Sequence, residues 1–385
     1  MEKNNIRRLF RDFFGAEPAA AARAPGRLEI LGNHTDYNEG FVLSAAVGQA
    51  ASFAMAPAEG KKCRIKVFDS GLESVFSLDD IDKAVPGDWA NYIKGVPARL
   101  AARGIKTGAF NAGLVSDVPV SAGMSSSAAL EISACLAFGK VFGIDMPKAE
   151  WARVGQEVEN KYIGVKTGLL DQFSSIFGKK DSLILCDFRT VEVLRTVPVP
   201  AGYAIVVANT MVKHNLVDSD YNRRRESCER AAHYLASKNP GLKTLRDADE
   251  KMLEAARGGL DKIDFMRAMH IAGEDRRVLD GAKLLERGEI EAFGKLLFES
   301  HKSSREYFEN SCPELDCLVG IASTLPDCIG ARLSGGGFGG ISIHLVKEGG
   351  AEKYCERLKT AYSLRTDKKA ETLVCSIGDG AALME

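Results

Sequence analysis

"DVPVSAGMSSSAALEISACLAFGKVFG" (Asp117–Gly143) is a polar loop that runs without a break into an Ala-rich amphipathic helix. The first N–H groups of a helix have no intrahelical partner, and the macrodipole adds about half a positive charge there, so this entry suits a phosphate. Ser125, Ser126 and Ser127 add hydroxyls for phosphate or Mg2+. One serine is enough to cap a helix, and three in succession after Gly123 exceed that need.

Three other stretches carry polar or glycine clusters. "GRLEILGNHTDYNEG" (Gly26–Gly40) packs an Arg, an Asn, a His, an Asp and a Tyr into one turn between two apolar runs. "VKTGLLDQFSSIFGK" (Val165–Lys179) sets Asp171 among apolar residues, where a helix cap or a satisfied core acid is the commoner fate of a lone Asp. "SGGGFGG" (Ser334–Gly340) formally satisfies G-x-G-x-x-G through Gly335, Gly337 and Gly340. That motif must lead into a helix, whereas the following "ISIHLV" alternates and is β-branched like a strand, which excludes a dinucleotide fold. Glycines between two strands allow positive φ and close backbone approach to a ligand, or simply a tight hairpin. The chain contains no G-x-x-x-x-G-K-[ST] and no protein-kinase H-R-D or D-F-G element.

The 385 residues suffice for two domains with separate cores. Lys and Arg number 51 against 52 Asp and Glu, so no broad field suits nucleic acid or an anionic membrane, and any bound anion is held by local design. "MEKNNIRRLFRDFFGAEP" reads as a surface helix without the apolar run of a signal sequence or membrane span, which fits a cytoplasmic protein. Nine cysteines without C-x-x-C pairs read as small buried hydrophobes carrying reduced thiols.

Strand-like runs ("FVLSAAV", "RIKVFDS", "AFNAGLVSDV") mix with helix-like ones ("WANYIKGVPARLAARG") in the first half, an α+β or α/β pattern. Three strand candidates follow at 183–207, then a mostly helical stretch from Tyr221 to about Val319, and finally two strands around the glycine cluster, a helix and "ETLVCSI". We expect the domains to be 1–190 and 191–385. Low-complexity tails and internal repeats are absent from the sequence.

Taken together, these motifs resemble the GHMP small-molecule kinases, and within them the galactose-phosphorylating branch. The turn at 26–40 looks like that branch's signature, "PVSAGMSSSAALE" like the family's phosphate loop and "GARLSGGGFGG" like its third motif. The resemblance spans nearly the whole chain. It implies an α+β fold with an N-terminal mixed-sheet domain, a ferredoxin-like C-terminal domain and an active site between them, using ATP and Mg2+ to phosphorylate the anomeric hydroxyl of a galactose-type sugar.

Residue by residue, the match makes Asp171 the base beside that hydroxyl and sets Arg27 against Asp171 and the moving phosphate. Ser127 and Glu159 match the Mg2+-holding positions, although Glu159 by itself reads as a solvated helix acid. Ser121, Gly123, Ser125 and Ser126 would meet the phosphates, and Trp89 would lie near the adenine or simply in the core. On the sugar side the match points to Asn33, His34, Asp36, Gly168 and Tyr221, donors and acceptors of the kind that fix hydroxyls in one orientation.

Two positions depart from the pattern. Ser121 stands where the family usually has glycine, and Asn33 where the branch typically has a Glu that accepts the sugar's C6 hydroxyl. Losing that charge-assisted bond costs on the order of 1–2 kcal/mol, and an amide tolerates a C6 carboxylate that Glu would repel. The leading expectation is therefore formation of α-galactose 1-phosphate. The alternatives are a kinase of a galactose-type sugar altered at C6 or C2, such as galacturonate or N-acetylgalactosamine, and a non-catalytic sugar sensor. The expected partner is a small-molecule sugar, with no nucleic acid and no membrane. Oligomeric state is open, and a monomer fits.

Overall fold

The computed structural model describes residues 5–119, 123–213 and 217–385. Ser121 lies outside them. In chain order the strands are β1 (Ala20–Leu31), β2 (Phe41–Pro57), β3 (Lys62–Val67), β4 (Glu73–Ser77), β5 (Phe110–Ser116), β6 (Ser182–Asp187), β7 (Glu192–Pro198), β8 (Tyr203–Lys213), β9 (Cys328–Ser334), β10 (Gly339–Lys347), β11 (Glu371–Cys375) and β12 (Ala382–Leu383). The helices are α1 (Ile6–Phe14), α2 (Asn91–Ala102), α3 (Ser126–Phe142), α4 (Lys148–Glu157), α5 (Leu170–Phe177), α6 (Val217–Lys238), α7 (Glu250–Ala256), α8 (Lys262–Glu286), α9 (Ile290–Ser303), α10 (Pro313–Ala322) and α11 (Ala351–Thr366).

The first sheet runs β12-β1-β2-β5-β3-β4, and β6 pairs both β2 and β7. β3 and β5 are parallel while the other pairs are antiparallel, so the sheet is mixed as expected. Alanines fill β1 and sort by the two-residue period of a strand. Ala20, Ala22 and Ala24 join the main core with Ile132 and Phe138 of α3, whereas Ala21 meets Ile6 and Phe10 of α1 on the opposite face. Small side chains on a strand buried on both faces let helices approach closely.

The second sheet, β11-β8-β10-β9, is antiparallel throughout. Alternation along β8 joins the two halves of the molecule. Ile205 and Val207 enter the main core, and Val206 and Ala208 face Leu318 of α10 and Tyr354 and Leu358 of α11. The chain does not change sheets at residue 190. β7 still pairs with β6 as far as Pro198, and the C-terminal β12 returns to β1, because both complete hydrogen-bond ladders that the first sheet would otherwise leave open.

All nine cysteines are free thiols, seven of them buried. Among the described residues no helix is long and apolar enough to cross a membrane.

Candidate active site

β1 and β2 are joined by the turn at 32–40, which meets the start of α5, Tyr221 of α6 and the glycine loop between β9 and β10, while Arg27 of β1 meets the residues before α3. Two cavities open there. One, of about 160 Å³, is lined by Arg27, Glu29, His34, Asp36, Asp171, Tyr221 and their neighbours. The other, of about 660 Å³, is lined by Trp89, Tyr92, Gly123 and Ser125–Ser127 among others. Arg27, Asp171, Gly335 and Gly336 belong to both linings, so the two spaces meet at those residues.

Asp171 opens α5 with its side chain 27% exposed. Arg27 donates through Nε to Asp171 Oδ1 at 2.8 Å, and a terminal nitrogen lies 2.6 Å from the same oxygen. The other terminal nitrogen donates to Gly123 O at 2.6 Å, and Arg27 N to Met124 O, which ties Asp171 through Arg27 to the backbone before α3. Ser125 does not cap α3 with its side chain. It holds a left-handed φ of 57° and donates its hydroxyl to Asp171 Oδ2. Plain serine capping therefore does not explain this loop, and the first turn of α3 faces the larger cavity.

Ser127 donates to Glu159 Oε1 at 2.9 Å, while Thr167 and Gln172 bond Oε2. Glu159 is buried on a π-helical turn and is not the solvated acid that its isolated reading suggests. Burial, reinforced by the charge of Asp171, raises its pKa. Ser127 and Glu159 place a hydroxyl and a carboxylate side by side, hard oxygen donors of the kind Mg2+ takes. Among the described residues no three His, Cys, Asp or Glu side chains are placed to hold a metal, so an ion here would draw most of its shell from phosphates and water, as Mg2+ does.

Asp36 approaches α5 because Gly168 has no side chain. A Cβ at Gly168 would sit 1.6 Å from Asp36 Oδ2. Burial and the nearby carboxylates of Glu29 and Asp171 push Asp36 up to about 6. The His34 ring packs 4.9 Å from Tyr221 and 4.6 Å from Phe308 between ring centroids. Burial drives its pKa down to about 3, so the ring is neutral. Its Nε2 donates to Gly336 O at 3.1 Å and its Nδ1 accepts from the Tyr37 hydroxyl at 2.9 Å. With both nitrogens engaged by the protein, His34 faces the cavity as a wall.

The glycine loop is a hairpin, as the strand that follows it requires. Positive φ at Gly335, Gly337, Phe338, Gly339 and Gly340 lets its backbone turn inward to Asn33, His34 and Asn310.

Asn33 departs from the expectation of a sugar contact. It is fully buried and outside the cavity lining. Its Nδ2 donates to Glu29 Oε1 at 2.9 Å and Gly335 O at 2.8 Å, and its Oδ1 accepts from Asn310 and Ser304. Every hydrogen-bonding direction of the amide is used inside the protein. Glu29, missed in the sequence reading, lines the cavity in its place. The available signal was strand alternation, which sets residues 27 and 29 on one face.

Three family models match the chain: "Galactokinase galactose-binding signature" at residues 8–57, "GHMP kinases N terminal domain" at 91–179 and "GHMP kinases C terminal" at 282–364. The solved structure of Methanococcus jannaschii mevalonate kinase shares the fold, with a TM-score of 0.63 at 18% identity over 93% of this chain and 98% of that one. The chain is a GHMP-fold kinase.

The galactokinase of Roseiflexus sp. (strain RS-1) is 37% identical over 380 residues, 99% of this chain and 97% of that protein. Lactococcus lactis galactokinase, solved in complex with galactose, superposes with a TM-score of 0.92 at 30% identity, covering 98% of each chain. The chain belongs to the galactokinase family and is a sugar kinase.

Proposed function

We propose that this chain transfers the γ-phosphoryl group of ATP directly to the anomeric hydroxyl of galactose, giving α-galactose 1-phosphate. The observation that carries this reading is the Arg27–Asp171 pair at the junction of the two cavities, the smaller for the sugar and the larger for the nucleotide. Phosphoryl transfer needs an in-line oxygen, a proton acceptor and neutralisation of charge on the moving group.

Arg27 makes two contacts to Asp171 Oδ1, so Oδ2, which among the described residues accepts only from the Ser125 hydroxyl, is the oxygen that takes the proton of the sugar hydroxyl. The guanidinium stabilises both the carboxylate and the phosphoryl oxygens arriving from the nucleotide side. The N-terminus of α3, with Gly123, Ser125 and Ser126, holds the phosphates, and Trp89 walls the nucleotide cavity. Ser127 and Glu159 would hold Mg2+, which when bound offsets charge on the transferring phosphate. Asp36, His34, Tyr221 and the space above Gly168 shape the sugar pocket.

The alternative of a sugar acid at C6 rested on Asn33, which does not reach the cavity. Glu29, Asp36 and Asp171 line that cavity together with Arg27, and this excess of carboxylates disfavours a sugar acid. A matched base and guanidinium also speak against a sensor without catalysis.

Incubating the purified protein with ATP, Mg2+ and each of galactose, galacturonate and N-acetylgalactosamine tests the reading. Galactose should be turned over at the highest kcat/KM. Robust turnover of galacturonate with none of galactose would overturn the substrate. Binding of galactose and ATP without any sugar phosphate would overturn the kinase.

A further inference from the structure

Arg27 and Glu29 lie two apart on β1 and so project from one face of the strand into the sugar cavity. Glu29 is held from behind. Arg332 of β9 donates to its Oε1 at 3.0 Å, and Asn33 donates to the same oxygen at 2.9 Å. Arg332 is itself completely buried and also donates to Ile30 O. Both donors sit on one carboxylate oxygen, and Oε2 is left for a guest in the cavity.

We propose that Glu29 is the specificity-determining acceptor of this sugar site, taking a hydrogen bond from a hydroxyl of the sugar on Oε2 while Arg332 and Asn33 position it. The assignment rests on the galactose reading of the cavity and changes which residue does the reading. A carboxylate accepts from a hydroxyl more strongly than an amide does, and although burial raises the pKa of Glu29, the guanidiniums of Arg332 and Arg27 and the Asn33 amide favour its charged form. Asn33 cannot fill the role, since Asn310, Ser304, Gly335 and Glu29 consume its amide. A buried acceptor aimed into a pocket discriminates against analogues lacking the matching hydroxyl, because it is then left unpaired.

The test compares wild type with Glu29→Gln, which keeps the shape and an oxygen for Arg332. The readouts are galactose KM, ATP KM and kcat, and KM for a panel of galactose analogues each lacking one hydroxyl at C2, C3, C4 or C6. We expect galactose KM to rise about tenfold in the variant with ATP KM within twofold. One deoxy analogue should be penalised in the wild type and carry no further penalty in the variant, the non-additivity of a lost direct contact. A merely structural Glu29 would not single out one hydroxyl. Should Glu29→Gln fail to fold, Glu29→Asp keeps the charge beside Arg332 and is read in the same way.

Galactose KM within twofold of wild type, or equal analogue penalties in both proteins, overturns the assignment while leaving the kinase reading intact. A wild type that binds galactose by calorimetry without phosphorylating it removes the kinase reading alone, and Glu29 is then judged from Kd across the same panel. A wild type that neither binds nor phosphorylates galactose removes both.

Discussion

The guanidinium of Arg27 rests on a single oxygen of Asp171, at 2.8 Å through Nε and 2.6 Å through a terminal nitrogen, although the two residues are 144 positions apart. That geometry fixes one carboxylate oxygen, while the other accepts from the Ser125 hydroxyl and is the one the proposed reaction uses. Asp171→Asn preserves size and an oxygen for Arg27 while removing the proton acceptor. It should lower kcat by about 10²–10⁴-fold, with galactose Kd changed by less than about threefold. Steady-state kinetics alongside calorimetry checks both numbers, and near-normal turnover would take the base role from Asp171.

Gly168 and Asp36 meet without space for a methyl group, since a Cβ would fall 1.6 Å from Oδ2 and 2.4 Å from Cγ. In Gly168→Ala either Asp36 or the loop before α5 must move. Galactose KM should rise by at least about tenfold, with ATP KM nearly unchanged. A variant with wild-type galactose KM would show that Asp36 does not contact the sugar.

Asp275 of α8 accepts from Phe41 N through Oδ1 at 2.7 Å, and its Oδ2 is buried without a partner. Burial pushes its pKa from 3.8 up to about 7. Between those values the native state holds a proton that the unfolded chain has released, so this residue's contribution to stability falls as pH rises from about 4 to 7. Asp275→Asn keeps the acceptor for Phe41 N and removes the titration. The Tm of the variant relative to wild type should therefore increase between pH 5 and pH 8, by at least about 2 °C. A flat difference across that range would remove Asp275 as the cause.

Much of this chain could be read from local pattern. The start of α3, the strand after the glycine cluster and the strands β2 and β5 are consequences of short-range backbone chemistry, and the structure shows these elements where the pattern predicts them, whereas β1 was not among the predicted strands. The motif resemblance led to the kinase fold. The 190 boundary was less legible, because β7 and β12 are assigned by which open ladder accepts them, and neighbouring residues carry no trace of that choice.

The turn at 26–40 shows the division most clearly. By itself the sequence determined that a crowd of polar side chains lies between two apolar runs, and once β1 is seen to be a strand its period sets residues 27 and 29 on one face. Only the tertiary structure decided that Glu29 and not Asn33 meets the cavity. Arg332, 303 positions from Glu29, supplies the guanidinium that permits a carboxylate there, and Asn310 and Ser304 arrive from another segment to consume the amide of Asn33. A buried polar group points to wherever its hydrogen bonds can be completed, and those partners come from parts of the chain brought together only by folding.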